Sequence, residues 1–271
     1  PYGIYAKRGL GLYPWRRLDE PLGPADRGEL GHSLAEQVAR AYPDALPHDL
    51  EAQINALCAD IVTAKALTLD VQTYWRGDLA RAGAFLAAFE EAARGEGRPV
   101  LLEGEGEWCF PVAGEEMVLI GRADRMDRLN DKSIRIIDFK TGEKRPTNKQ
   151  ASTFSPQLLL TALMVEAGAF PPETRGEVSS ISFQNMISKR SPFDPFAGHH
   201  ALSGEALREA MGEAGGALTA LLEAYQNPDQ GYPSQPRTFF RHDYGDYDHL
   251  ARRGEWAGRG GDGAADGGGD D

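Results

Sequence analysis

Two cysteines, Cys58 and Cys109, are all that the chain contains. That is too few for a disulfide framework or a four-cysteine metal cluster, and both read as small buried residues in a reducing compartment. No run of 18 apolar residues occurs, so no segment reads as a membrane-spanning helix. A basic, apolar secretion leader is missing too. The chain begins at Pro1 rather than at methionine, which points to processing or to excision from a longer polypeptide. No Walker-type phosphate loop is present. Basic residues are in the minority, with 29 Lys and Arg against 41 Asp and Glu, a net charge of −12. An all-over basic surface for nucleic acid is thereby excluded. A local one is not, because carboxylates gathered around a cation carry their own counter-ions and four of the acids lie in the last ten residues.

What is present is globular. Apolar residues at 41% and charged residues at 26% of 271 positions allow one large domain, or one domain with an appendage. The chemistry concentrates in residues 121–140, GRADRMDRLNDKSIRIIDFK. Asn130 and Asp131 suit a tight turn, and the apolar run IRII that follows reads as a strand. With a period of two, Ile134, Ile136, Asp138 and Lys140 share one strand face, while Arg135, Ile137 and Phe139 share the other. A carboxylate and an ammonium therefore emerge together where an apolar strand ends, and Thr141 and Gly142 stop that strand abruptly. If Asp124 closes the neighbouring strand of a hairpin, two carboxylates and one lysine converge. Such a set can hold a hard divalent cation and leave a positive charge for a phosphate or a water. A hairpin with a surface Asp–Lys pair is the plainer alternative. Asp127, facing away from Asp124, reads as a structural partner for Arg125 or Arg128.

Around this stretch, residues 1–25 interleave Tyr2, Tyr5, Tyr13 and Trp15 with Lys7, Arg8, Arg16 and Arg17. They read as an N-terminal arm whose aromatics pack on the domain, with stacking on bases as the alternative. Asp26 and Glu29 can cap a helix over 27–42 whose buried stripe is Leu30, Leu34, Val38 and Ala41. His32 lies off that stripe, beside Glu36, and so faces solvent or a site. Helices are expected at 48–68 and 70–94, the latter with Ala84, Phe85, Ala88 and Phe89 in the core. Strands follow at 99–110 and 115–124, where Glu103, Glu105 and Glu107 alternate on one face. A solvated sheet face is the commoner meaning of that pattern, although Glu103 can reach a site at the sheet's end. Residues 143–153 form a polar loop carrying Lys144, Arg145 and Lys149. Pro156 then opens a buried helix with Gln157 in its first turn. A strand at 177–187 and a helix at 202–226 complete the body. His242, Asp243, Asp246, Asp248 and His249 resemble metal ligands by composition, but their aromatic and basic surroundings favour a docked tail. Residues 257–271 are low complexity and expected to be disordered.

Four motifs in order, RGELGHSLAE, GRADRMDRL, IRIIDFKTG and SPQLLLTALMVEAGAF, resemble the RecB-like branch of the PD-(D/E)XK nucleases. Within it they are most similar to the AddB-type nuclease domains of bacterial helicase–nucleases, whose flanks PYGIYAKRGLGL and YDHLARRGEW also resemble. The resemblance spans roughly residues 1–256. It implies an α/β, restriction-endonuclease-like core, with a mixed central sheet flanked by helices and an N-terminal helical portion. Its domain limits would be an arm at 1–25, a nuclease domain at 26–256 and a tail at 257–271. It further implies His32, Asp124 and Asp138 as ligands of Mg²⁺ or Mn²⁺, with the Phe139 backbone carbonyl as a further oxygen. Lys140 would be the motif lysine and Gln157 the glutamine that opens the following helix. DNA is the implied substrate, with exonucleolytic, Mg²⁺-dependent hydrolysis in double-strand break repair. An AddA-type helicase–nuclease subunit would be the partner and supply any unwinding, in a cytoplasmic, nucleoid-associated setting without a membrane. Cys58 and Cys109 do not match the four-cysteine pattern of some relatives, so no iron–sulfur cluster is implied. A nuclease fold that binds DNA without cutting it, and a standalone nuclease, are the alternative functions.

Overall fold

The structure is a computed structural model that describes residues 2–13, 23–64, 69–141, 156–187, 199–233 and 247–252. It begins with a helical turn α1 (Tyr2–Ile4) leading into a wider coil at Tyr5–Gly9. Helices α2 (Pro24–Ala41), α3 (Leu50–Ala64) and α4 (Leu69–Glu96) come next. Strands β1 (Gly97–Val112), β2 (Glu115–Leu129) and β3 (Ile134–Lys140) follow without an intervening helix. Helix α5 (Gln157–Glu166) then leads to β4 (Val178–Asn185), β5 (His199–Ser203) and α6 (Gly204–Gln226).

The five strands form one sheet in the order β1-β2-β3-β4-β5. All neighbours are antiparallel except β3 and β4, which run parallel with α5 as their crossover. This is the mixed α/β architecture expected. The period-two reading of β3 holds on both faces: Ile134 and Ile136 pack beneath α5 and α6, while Ile137 and Phe139 pack beneath α2–α4. Six of the seven β3 residues are buried, as befits a central strand covered on both sides, and only Lys140 is exposed.

Several sequence expectations shift by a turn or less. Helix α2 starts at Pro24, because proline's fixed φ suits the first helical position, and Gly23 takes the cap. Asp26 is instead the third helical residue, and its Oδ2 accepts the Gly23 N–H at 2.8 Å. Ala41, at the helix's last position, is exposed, and Ala35 and Ala39 join Leu30, Leu34 and Val38 in the core. In α4 Phe85 and Phe89 are buried as expected, but Ala84 is exposed and Ala82 and Leu86 fill the core. Cys58 is buried and burial pushes its thiol up to about 11, whereas Cys109, on the outer part of β1, is exposed. In the β2–β3 turn Asp131 Oδ1 accepts from the backbone and hydroxyl of Ser133, at 2.9 and 2.6 Å, and Lys132 takes the left-handed conformation. Helix α4 passes straight into β1 at Gly97, where a Cβ would sit 2.4 Å from the Arg128 carbonyl oxygen.

Residues Leu22–Glu223 form one compact unit, which holds the sheet, and Pro1–Pro21 with Ala224–Asp271 form another. Within the second, Tyr5 stacks on Tyr232 with ring centres 5.4 Å apart, and Tyr232 tilts against Tyr225 at 5.0 Å. The Tyr247 hydroxyl donates to the Leu12 carbonyl at 2.8 Å. Tyr13 remains exposed. The expected basic loop at 143–153, Trp15, His242, Asp243 and Asp246, and the tail at 257–271 lie outside the described residues. Among the described residues no helix is long and apolar enough to cross a membrane.

Candidate active site at the end of β3

The site begins where β2 and β3 part. Their ladder ends at Arg125 paired with Ile137. One step further Asp124 and Asp138 would face each other, and there the backbones no longer pair. The Phe139 N–H instead donates to Asp124 Oδ2 at 2.8 Å. A side-chain carboxylate thus takes the place of a ladder carbonyl, which satisfies a backbone donor that would otherwise be orphaned.

The alternation of β2 slips at the same point. Gly121 and Ala123 face α5, and so does Met126, whereas Arg125 and Asp127 lie on the α4 side with Glu90. An unbroken period of two cannot place both Ala123 and Met126 on one face. In β1 the residue across from Asp124 is Glu103, between the pairs Leu102–Arg125 and Gly104–Ala123. Glu103 has φ of +49°, a left-handed conformation uncommon for any residue but glycine. The kink brings Leu101 against Gly104, where a Cβ would lie 2.4 Å from Leu101 Cδ1. Glu103 therefore turns away from the exposed row of Glu105 and Glu107 and lies half-buried beside Asp124.

Helix α2 supplies the imidazole. Its close approach depends on Gly31, since a Cβ there would stand 2.5 Å from Thr141 Cγ2 and 2.7 Å from Met186 Cε. With that contact made, His32 Nδ1 sits 3.3 Å from both Asp124 Oδ2 and Glu103 Oε1. Glu103 Oε2 also accepts from Arg122 Nε at 2.9 Å. Ligand-type atoms of His32, Glu103 and Asp124 all lie within 4.8 Å of one another. Asp138 is buried, and its Oδ2 accepts no hydrogen bond of normal geometry among the described residues. Lys140 Nζ stands 2.5 Å from that oxygen as an ion pair and 5.4 Å above the Phe183 ring, with its side chain 48% exposed.

The electrostatics follow from crowding three carboxylates around one imidazole. Burial and the neighbouring Asp124 charge push the Asp138 carboxyl up to about 6, and Lys140 opposes them only in part. The hydrogen bond to Asp124 raises His32 above its ordinary value, with the Asp124, Glu103 and Asp138 charges adding to it and burial working against it. Nδ1 faces two carboxylates, both acceptors, and is the ring nitrogen placed to donate a proton between them. A divalent cation among the same oxygens would do the work of that proton with twice the charge. The donor set, an imidazole nitrogen with carboxylate oxygens, suits Mg²⁺ or Mn²⁺, the nitrogen being more at home on Mn²⁺.

Of the residues anticipated from sequence, His32 and Asp124 come together with Glu103, while Asp138 pairs with Lys140 at the end of β3 and is not among the ligand-type atoms within 4.8 Å of one another. Phe139 contributes its N–H to Asp124, while its ring is buried edge-on against Phe89 at 5.6 Å. Gln157 is exposed in the first turn of α5 and its carbonyl accepts from Thr161 Oγ1 at 2.9 Å, so the described contacts do not tie its amide to the cluster. Glu103, which alternation sets in one row with Glu105 and Glu107 but which can reach a site at the sheet's end, joins His32 and Asp124 there. The one sequence sign of its difference is Gly104 behind it, which permits the kink.

A mixed sheet covered by helices on both faces, with an Asp-x-Lys pair at the end of its central strand, defines a restriction-endonuclease-like α/β fold. The family model of the PD-(D/E)XK nuclease superfamily matches residues 1–237, and the chain belongs to that superfamily. An uncharacterized protein of Rickettsia bellii (strain RML369-C) is 28% identical over 171 residues, which cover 63% of this chain and 20% of that protein. One from Rickettsia typhi (strain ATCC VR-144 / Wilmington) is 27% identical over 191 residues, covering 69% and 22%. The chain thus spans about a fifth of the length of the curated relatives it matches. The crystal structure of SSO0001 aligns with 79% of this chain and 99% of its own, at 10% identity and a TM-score of 0.30.

Proposed function

We propose that the chain is a divalent-metal-dependent deoxyribonuclease that hydrolyses phosphodiester bonds, acting as an AddB-type nuclease module. The observation that carries this reading is the convergence of His32, Glu103 and Asp124 from three separate elements on the Asp138–Lys140 end of β3. His32, Asp124 and Asp138 would hold Mg²⁺ or Mn²⁺, with Glu103 added to the expected set. When bound, the ion supplies an acidified water and charge neutralisation at the scissile phosphate.

The chain's own groups do the rest. The Phe139 N–H holds Asp124 in one orientation, and Gly31 holds His32 within reach of it. Lys140, exposed yet held against Asp138, presents a point charge to the phosphoryl oxygens and orients the attacking water. Hydrolysis forms one P–O bond to the water oxygen and breaks one to a sugar oxygen. The water's proton leaves to solvent and the departing oxygen takes up another. Gln157 would orient substrate from the start of α5, and the Phe139 carbonyl would complete the ligand set.

Exonucleolytic processing of double-strand ends, with an AddA-type helicase subunit as partner, is the reading that the resemblance of the four ordered motifs supports. The chain carries no Walker loop of its own, and its net charge of −12 favours DNA binding supported by further protein surface. The test is cleavage of linear single- and double-stranded DNA in Mg²⁺, Mn²⁺ or EDTA by wild type, Asp138→Ala and Lys140→Ala. Metal-dependent cutting abolished by both substitutions supports the assignment. Cutting that survives EDTA, or survives both substitutions, refutes it.

A further inference from the structure

On the α4 side of β2, directly next to Asp124, charges are sealed from water. Arg125 is 1% exposed, and Glu90 and Asp127 are 0%. The Arg125 guanidinium grips both Glu90 oxygens, with Nη2 to Oε2 at 3.3 Å, and its Nε donates to Asp127 Oδ1 at 2.6 Å. It also lies 5.0 Å above the ring of Phe89, which meets Phe139 edge-on. Asp127 Oδ2 accepts from Arg135 Nη2 at 3.0 Å, and Arg135 pairs with Glu96 at 2.5 Å. Arg94 Nε donates to Glu90 Oε2 at 3.2 Å and its other nitrogens reach the Pro43 and Tyr42 carbonyls, at 2.5 and 2.6 Å.

Burying such charges is costly, and well-packed apolar residues of the same volume often serve stability as well. What a planar guanidinium offers that an apolar side chain does not is direction: its forked donors fix two carboxylates at set angles. That fixing occurs one residue beyond the point where β2 loses its ladder to β3 and its alternation slips. There the backbone of Asp124 runs beside β1 but has no β3 partner, and among the described residues its side chain is held by the Phe139 N–H and by His32.

We infer that Arg125, clamped by Glu90, is a positioning residue that holds Asp124 against the Phe139 N–H and in reach of His32. Resting on the metal-site reading of Asp124, it assigns the buried pair a function in cation affinity in addition to its part in the packing of α4 on β2. Arg125 and Glu90 touch neither substrate nor cation and act through one peptide link and one aromatic contact.

The experiment uses the whole chain and the charge-neutral variant Glu90→Gln/Arg125→Met, which leaves Asp127 with Arg135 and Arg94 with its two carbonyls. Amide hydrogen exchange is followed in EDTA at Phe139 and, as a reference for global opening, at Ile181. Mn²⁺ affinity is then measured by calorimetry. Exchange at Phe139 is expected to quicken at least tenfold with Ile181 unchanged, and Mn²⁺ affinity to fall at least tenfold. Glu90→Gln alone, which keeps a hydrogen-bonding partner, is expected to move both readouts the same way by less, and it decides the matter if the double variant fails to fold. Unchanged exchange at Phe139, or equal acceleration at Ile181, overturns the inference. Accelerated exchange at Phe139 alone, in a protein whose wild type binds no Mn²⁺, supports the positioning function and refutes the metal-site reading instead.

Discussion

Two clusters of charge lie on either side of one peptide bond in β2, and they differ in balance. On the α4 side Glu90, Glu96 and Asp127 meet Arg94, Arg125 and Arg135, three acids against three bases. At the end of β3, Glu103, Asp124 and Asp138 meet Lys140, the exposed Arg122 and a histidine. The balanced cluster is the more deeply buried. The unbalanced one is half-open and contains a buried oxygen with no normal hydrogen bond among the described residues. Acidic composition alone would not separate them. What marks a cation site is negative charge that its own neighbours leave incompletely answered.

The sharpest way to break this contrast is to remove one acid from each cluster. Asp138→Asn is expected to reduce DNA cleavage by a thousandfold or more while leaving the thermal midpoint in EDTA unchanged or raised, because a buried, poorly compensated carboxylate has gone. Calorimetry beside a cleavage assay reads both. In the balanced cluster Arg125→Ala strands Glu90 and Asp127 without their shared cation, and a loss of about 3–5 kcal/mol is expected in urea unfolding. An Asp138→Asn protein that unfolded as easily as Arg125→Ala would dissolve the distinction.

Gly31→Ala tests the approach of α2. The new methyl must displace both Thr141 and Met186, at a cost of about 1–3 kcal/mol, and His32 is expected to move away from Asp124. A weaker Mn²⁺ affinity should accompany the lower stability. pH provides a gentler probe. Asp138 and His32 both hold their protons more tightly folded than unfolded, so stability in EDTA should fall as pH rises from about 4, through 6, and past the ordinary histidine range. Mn²⁺ affinity should climb over the same interval as the cation replaces those protons. A flat profile in both would remove the electrostatic basis of the cluster. The smallest effect is a comparison within β1: Glu103→Gln should weaken Mn²⁺ binding about tenfold, and Glu105→Gln and Glu107→Gln should leave it unmoved.

Much of this arrangement was legible beforehand because it obeys strict periods. The faces of β3 follow from alternation, and His32 follows from its angle off the Leu30–Leu34–Val38 stripe. The reach of Glu103 to the sheet's end was legible as a possibility, but not the left-handed residue by which its strand breaks the period, which no run of alternating glutamates announces. The partner of Arg125 was partly visible, since Asp127 lies two residues on, but Glu90 lies 35 residues earlier on a helix that sequence periodicity assigned to the apolar core. Ala41 and Ala84 missed the core because a helix's buried arc is set by what it packs on. Local pattern encodes the strands; the pairing of distant charges is a product of the packed fold.

The parallel neighbour of β3 bears on the order in which the molecule assembles. Strands β1, β2 and β3 are joined by tight turns and can pair early from local encounters, whereas β4 must wait for α5 to cross over, and α2 must return from about a hundred residues upstream. Glu103, Asp124 and Asp138 all lie on this locally connected meander, whereas His32 comes to it only with α2. Three acids without their histidine repel, so the docking of α2 onto Thr141 is a step that a divalent cation would favour.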